Sequence, residues 1–308
     1  MEKLFVFSIV LRLLLITDQD VRALIGGDPA QLNDYPFNAV LKRDSHYVCS
    51  GSIINKKHVV SAAHCVINIT NMEFEDKPTY VTVGTNHLHS SSSGGLTVAV
   101  EKIFIPSEYF KKIEPYTEVG DICVLQLRKR IDFSLGNVRL KNLKLPGNGP
   151  YVDGRAIITG FGWDWIDYAE DEKKNRIIKA GGSSGILRAA EARVLPKFDC
   201  QCKGCRPFDT DRHLCARISN PSLTDRKATC FGDSGAPLVY GGDTLIGVLS
   251  SGSPVCDETE MSGAYTKVAY YIDFIVKSML DVEDPIIRVF KPSSHSDITS
   301  NDVLPTVT

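Results

Sequence analysis

Three short stretches of this 308-residue chain carry side chains that could act together: "SAAHC" with His64, "GDICVLQL" with Asp121 and "GDSGAP" with Ser234. A hydroxyl is a poor nucleophile until a neighbouring base removes its proton and a third group orients that base. Serine, histidine and aspartate supply those three roles, and the chemistry they support is covalent catalysis through an acyl intermediate. Taken singly, a histidine is usually a surface or core residue and an Asp-Ser pair a turn. The set of three, with cysteines close by, is what points to catalysis.

The segments that must hold these groups read as strands. "YVTVG" from Tyr80, "TVAVEKIFI" from Thr97, "ICVLQL" from Ile122, "AIITG" from Ala156 and "TLIGVLS" from Thr244 are short, rich in β-branched residues and separated by turn signals. That pattern predicts an all-β sandwich or a pair of barrels. From Val268, apolar residues fall at 268, 271, 272, 275, 276 and 279, which predicts a helix ending near Leu280. Asp281 to Thr308 is polar and aperiodic and reads as a disordered tail. The stretch from Trp163 to Gly185, first charged and then glycine-rich, reads as a long surface loop between strands.

At 43% hydrophobic and 23% charged, the chain can bury a sizeable core. A net charge of −2 gives no reason to expect a nucleic-acid partner. After Met1-Glu2-Lys3, the apolar "LFVFSIVLRLLLIT" is too short to span a bilayer. With a basic residue before it and "VRA" after it, it reads as a secretory signal over residues 1–23, and no membrane partner is expected. Nine cysteines in a secreted chain should mostly pair, with at least one left over. "CQCKGC" has metal-ligand spacing, but an oxidising compartment favours disulfides. "NIT" at Asn68 to Thr70 is a glycosylation sequon, expected on an exposed loop.

In the order His, Asp, Ser, the three motifs resemble those of the chymotrypsin-like (trypsin-fold, S1 family) secreted serine peptidases, over about Leu24 to Leu280. The resemblance implies two antiparallel six-stranded β-barrels, about 24–143 and 144–265, a C-terminal α-helix at about 266–280 and a cleft between the barrels. It implies peptide-bond hydrolysis with His64 as general base, Asp121 as its orienting partner and Ser234 as nucleophile. The N–H groups of Gly232 and Ser234 would form the oxyanion hole, and Ser250 would hydrogen-bond the triad aspartate. Protein or peptide substrates, protein protease inhibitors, a monomeric chain and no cofactor or metal are the corresponding expectations. A catalytically silent homologue that binds a partner through the same cleft is the alternative.

The resemblance also places Ala228 at the base of the specificity pocket, with Thr229 beside it, Phe231 at the mouth, and Gly252 and Gly263 in the walls. Trypsin-like enzymes carry an aspartate at the base; an uncharged floor implies a preference for large apolar side chains. Lys227, if directed inward, would repel cations further. Ser251 and Ser262 depart from the aromatic residue and the proline usual in the family. The implied disulfides are Cys49–Cys65, Cys230–Cys256 and Cys200–Cys215. Cys202 and Cys205 could bridge each other or exchange roles with Cys200, and Cys123 would be a buried thiol. Leu24-Ile25-Gly26-Gly27 matches the start of a mature chain, whose α-ammonium would pair with Asp233. Because "VRA" has the spacing of a signal-peptidase site, secretion itself would release the active form; a short propeptide after an earlier cut is the other route.

Overall fold

The computed structural model describes residues 23–89, 95–111, 119–135, 138–147, 149, 151, 154–173, 176–196, 209–219, 227–257 and 262–293. Its strands are β1 (Asp28–Pro29), β2 (Asn38–Arg43), β3 (His46–Asn55), β4 (His58–Ser61), β5 (Ile67–Asn68), β6 (Glu73–Phe74), β7 (Thr79–Val83), β8 (Leu96–Pro106), β9 (Cys123–Leu127) and β10 (Ser134–Leu135). They continue as β11 (Val138–Arg139), β12 (Arg155–Gly160), β13 (Trp165–Glu170), β14 (Arg176–Gly182), β15 (Arg188–Val194), β16 (His213–Ile218), β17 (Pro237–Tyr240), β18 (Thr244–Ser251), β19 (Gly263–Lys267) and β20 (Ile287–Phe290).

Two closed barrels result. The first runs β8-β7-β2-β3-β4-β9 and closes through β8–β9; the second runs β15-β12-β17-β18-β19-β16 and closes through β15–β16. Each has six strands, paired antiparallel, as expected. The long strand β8 makes closure possible. Leu96 to Ala99 pair with β7, and from Val100 to Phe104 the strand pairs with β9 across a register shift between Val100 and Lys102. Such an irregularity bends a strand and raises its twist, so one strand can serve two neighbours. Ile103, Phe104, Leu125 and Val60 fill the first core, while Ile158, Leu238, Ile246 and Tyr265 pack with small alanines in the second.

Four segments differ from the sequence reading. Residues 24–29 pack with the second barrel: β1 pairs with β15, and Leu24 is fully buried with Ala156 and Ile158. The helix, α1 (Ile272–Met279), follows a 3₁₀ turn at Val268–Tyr271. That tighter turn rotates the apolar stripe, so Phe274 and Ser278 are buried while Val276 is 37% exposed. The tail does not begin as disorder. β20 pairs Ile287–Phe290 with Ile103–Pro106 of β8, and Phe290 stacks on Phe74 at 4.8 Å between ring centroids. Residues 294–308 of the expected tail, and 1–22 of the expected signal, lie outside the described residues. Finally, the supposed surface loop contains the antiparallel pair β13–β14, built on Trp165, Ile166, Tyr168, Ile177 and Ile178, residue types that suit a pleated surface. Among the described residues, no helix is long and apolar enough to cross a membrane.

Candidate active site

His64 sits in a 3₁₀ turn, Ala63–Cys65, immediately after β4. The Cys49–Cys65 disulfide ties that turn to β3. Asp121 lies just before β9, after Gly120, whose φ of +78° and close approach to Tyr109 N, 3.1 Å from a built Cβ, suit a residue without a side chain. The two meet across the barrel end. Asp121 Oδ2 accepts from His64 Nδ1 at 2.8 Å and from Ser250 Oγ at 2.6 Å, and Oδ1 accepts the His64 backbone N–H at 2.9 Å. Thr266 Oγ1 donates to the Asp121 carbonyl at 2.7 Å, a support that no sequence motif announced.

This geometry fixes protonation. A carboxylate facing Nδ1 puts the proton there, which leaves Nε2 as the basic nitrogen. Asp121 is 1% exposed, whereas His64, 24% exposed, faces solvent. Burial alone would raise the Asp121 carboxyl, but the charge of His64 and the hydrogen bonds from His64 and Ser250 outweigh it and hold it below the ordinary carboxylate range.

Ser234 comes from the second barrel and is pressed onto the first. Its carbonyl accepts the Ser50 N–H of β3 at 2.8 Å. A Cβ on Gly235 would lie 2.3 Å from both Ser50 O and Ser61 Oγ, and its φ is +77°. Only glycine lets this turn settle beside Ser61, three residues before His64.

The two peptides that would bind an oxyanion are oriented by their carbonyls. A trans peptide points its N–H opposite to its C=O. Phe231 O accepts from Trp163 N–H at 2.8 Å, which aims the Gly232 N–H; Asp233 O accepts from Ala236 N–H at 2.9 Å, which aims the Ser234 N–H. The Gly232 carbonyl in turn accepts the Tyr47 hydroxyl, which also lies 3.1 Å from Ser50 Oγ. Gly232 has φ +93°, and a Cβ there would stand 3.0 Å from the Tyr47 ring. Tyr47 is 185 residues away in the chain and carried no sequence signal.

Asp233 is fully buried, and its carboxylate accepts the N–H groups of Gly162 and Cys230, each at 2.9 Å. Gly160 and Gly162 leave room for it: a Cβ on Gly160 would lie 2.1 Å from its Oδ1, and one on Gly162 2.5 Å from its Cγ. "ITGFG" was therefore a readable signal for this cradle, though the sequence reading did not take it up.

Of the expected pocket residues, Thr229 and Gly252 meet. Ala228 and Thr229 are buried, and Ala228 N–H donates to Ile25 O at 2.9 Å, which couples the floor to the opening segment. A Cβ on Gly252 would lie 2.8 Å from Thr229 Oγ1, and one on Gly263 3.1 Å from the Tyr265 ring. Phe231 is 51% exposed and meets Trp163 edge to face at 5.0 Å. Lys227 does not point into the pocket: its Nζ pairs with Asp28 at 3.1 Å.

Cys230–Cys256 is bonded and Cys123 is a buried free thiol that donates to Ala62 O. Cys215 is disulfide-bonded; Cys200, Cys202 and Cys205 lie outside the described residues. Cys49, His64 and Cys65 cluster within 4.8 Å, but their disulfide consumes both sulfurs as metal ligands. Asn68 is half-buried rather than fully exposed, and its Oδ1 accepts the Thr70 N–H.

The family model described as Trypsin matches residues 24–275. Hypodermin-A of Hypoderma lineatum is 27% identical over 274 residues, covering 89% of this chain and 94% of that one. Trypsin Blo t 3 of Blomia tropicalis is 30% identical over 258 residues, 82% of this chain and 84% of its own. Among solved structures, neuropsin, a serine protease expressed in the limbic system of mouse brain, superimposes with a TM-score of 0.63 at 26% identity, covering 82% of this chain and 98% of that one. Two closed barrels, a buried aspartate on a cleft histidine, and a family match over most of the chain agree: this protein is a serine endopeptidase of the trypsin family.

Proposed function

We propose that His64, Asp121 and Ser234 are the catalytic triad of a secreted endopeptidase that cleaves after large apolar residues. The observation that carries the triad is the hydrogen-bond chain from Ser250 through Asp121 to His64 Nδ1. Ser234 Oγ attacks the scissile carbonyl while its proton passes to His64 Nε2. The oxyanion forms against the N–H groups of Gly232 and Ser234, each such donor contributing roughly 10²–10³ in rate. His64 then gives the proton to the leaving amine as the C–N bond breaks, and water releases the acyl group by the reverse route.

Ala228 supports the substrate class. A floor without a carboxylate leaves a Lys or Arg side chain unpaired on burial, whereas burying Phe, Tyr, Leu or Met contributes roughly 1.5–3 kcal/mol. Maturation exposes the Leu24 α-ammonium to pair with Asp233. The burial of both residues and the Ile25–Ala228 contact favour that coupling of chain start to pocket. Asn68 is the proposed glycosylation site, and protein protease inhibitors are proposed to dock in the same cleft of the monomeric enzyme.

A fluorophosphonate should label Ser234 in the wild type, and Ser234→Ala should abolish both labelling and turnover with the fold intact. On peptides that differ only before the cleaved bond, kcat/KM for Phe, Tyr or Leu should exceed that for Lys or Arg at least ~10-fold. Preference for Arg would refute the apolar substrate class and leave the triad standing.

A further inference from the structure

We infer that the β13–β14 hairpin is the outer support of the specificity pocket, with Tyr168 as the positioning residue for its wall; this rests on the peptidase reading above. Tyr168 stands at the register shift of β13, and its hydroxyl donates to Val255 O at 2.9 Å, with Cys256 O at 3.4 Å. Those two carbonyls end the segment that starts at Gly252, the wall facing Thr229.

This wall is a conformation that needs holding. Cys256 has a φ of +49°, in the left-handed region that a side chain disfavours and that persists only when the surroundings over-determine it. Among the described residues, three of its ties are the disulfide to Cys230, the turn bond from Cys256 N–H to Ser253 O at 2.9 Å, and Tyr168. The first two lie within the pocket itself. Tyr168 alone of the three reaches it from a separate element.

The same hairpin grips the opposite side of the slot at its root. Trp163 N–H binds Phe231 O and the Trp163 ring packs on the Phe231 ring at the mouth. A Cβ on Gly181 would lie 2.4 Å from the Trp163 ring, so glycine in β14 makes room for the indole. Asp164 N–H donates to Gly182 O at 2.8 Å, Ser184 N–H donates to the Asp164 carboxylate, and Ser183 Oγ donates to Phe161 O. Mouth and far wall are thus held at a set separation by one folded unit. A slot of fixed width distinguishes side chains by how well they fill it; a slot with a loose wall does not.

The test is Tyr168→Phe, which removes only the hydroxyl. Steady-state kinetics on peptides with Phe, Leu or Ala before the cleaved bond, thermal unfolding and fluorophosphonate labelling are measured together. The Phe-to-Ala ratio of kcat/KM should fall about tenfold, with Tm nearly unchanged. An unchanged ratio overturns the inference, as does a loss of equal size on every substrate, which is what a merely structural tyrosine would give. If wild-type Ser234 does not label, the peptidase reading fails and the inference falls with it; a labelled wild type with an unaltered ratio in the variant removes the inference alone.

Discussion

The molecule buries two aspartates, Asp121 and Asp233, and holds them differently. Asp121 is met by side chains, the imidazole of His64 and the hydroxyl of Ser250. Asp233 accepts backbone N–H groups from Gly162 and Cys230 in a cradle flanked by glycines. A carboxylate wired to a titratable ring can answer a change of charge on that ring during turnover. One wired to backbone fixes the course of the chain, here the turn that presents Gly232 and Ser234. Equal burial thus supports a chemical role in one case and an architectural role in the other.

The sharpest way to break the contrast is Asp121→Asn. An amide facing Nδ1 favours the wrong tautomer of His64, and kcat should fall about 10⁴-fold while Tm changes little. Activity within tenfold of wild type would show that Asp121 does not govern the ring. The counterpart is Gly162→Ala, whose new Cβ would press on the Asp233 carboxylate. Overpacking of this kind costs about 1–3 kcal/mol, and differential scanning calorimetry should show Tm lower by about 3–10 °C. Activity should drop on all substrates alike.

A smaller effect separates orientation from architecture within the turn. Tyr47→Phe frees the Gly232 carbonyl, so kcat should fall about tenfold with KM unchanged, less than deleting an oxyanion donor outright. A change in KM alone would place Tyr47 with substrate binding instead.

The smallest effect concerns acid. Burial, with help from the Lys57 charge, pushes the His58 imidazole down to about 4. Its Nδ1 faces Asn55 Oδ1 at 3.0 Å, a neutral arrangement. The folded value lies below the unfolded one, so this stability is present above about pH 6.5 and is lost as pH falls towards 4. Asp121, held below the usual carboxylate range, does not contribute until the more acid side of that window. In urea titrations, His58→Gln should flatten the stability slope between pH 6.5 and 4 by about one proton, with kcat/KM at pH 7 within about twofold of wild type. An unchanged slope would assign the acid sensitivity to other groups.

The barrels were legible, and the segments of the proposed triad conspicuous, because both signals are local. "SAAHC" and "GDSGAP" each set a histidine or a serine in a short, distinctive run, and strands such as "ICVLQL" announce themselves by β-branched content. What escaped notice depends on partners far along the chain. Tyr47 and Thr266 reach Gly232 and Asp121, 185 and 145 positions away, by hydrogen bonds. β20 offers only four residues amid polar neighbours, and its strand character comes from the edge of β8 that receives it. In "WDWIDYAE" the acidic residues hid a strand whose two faces are both partly exposed, so no clean apolar alternation marked it.

The crossing of the chain ends has a consequence in time. Residues 24–29 pack with the barrel made second, while α1 and β20, which follow that barrel in sequence, pack on the barrel made first. Ser107 hydrogen-bonds Pro285 across 178 residues. Contacts of such sequence separation are slow to form, because loop entropy is lost before any pairing rewards it. A ribosome emitting this chain therefore releases His64, Ser234 and the segments proposed as pocket walls before α1 and β20, which pack on the first barrel. The first barrel thus waits for segments that follow the whole of the second, whereas the second finds its N-terminal partner, residues 24–29, already made.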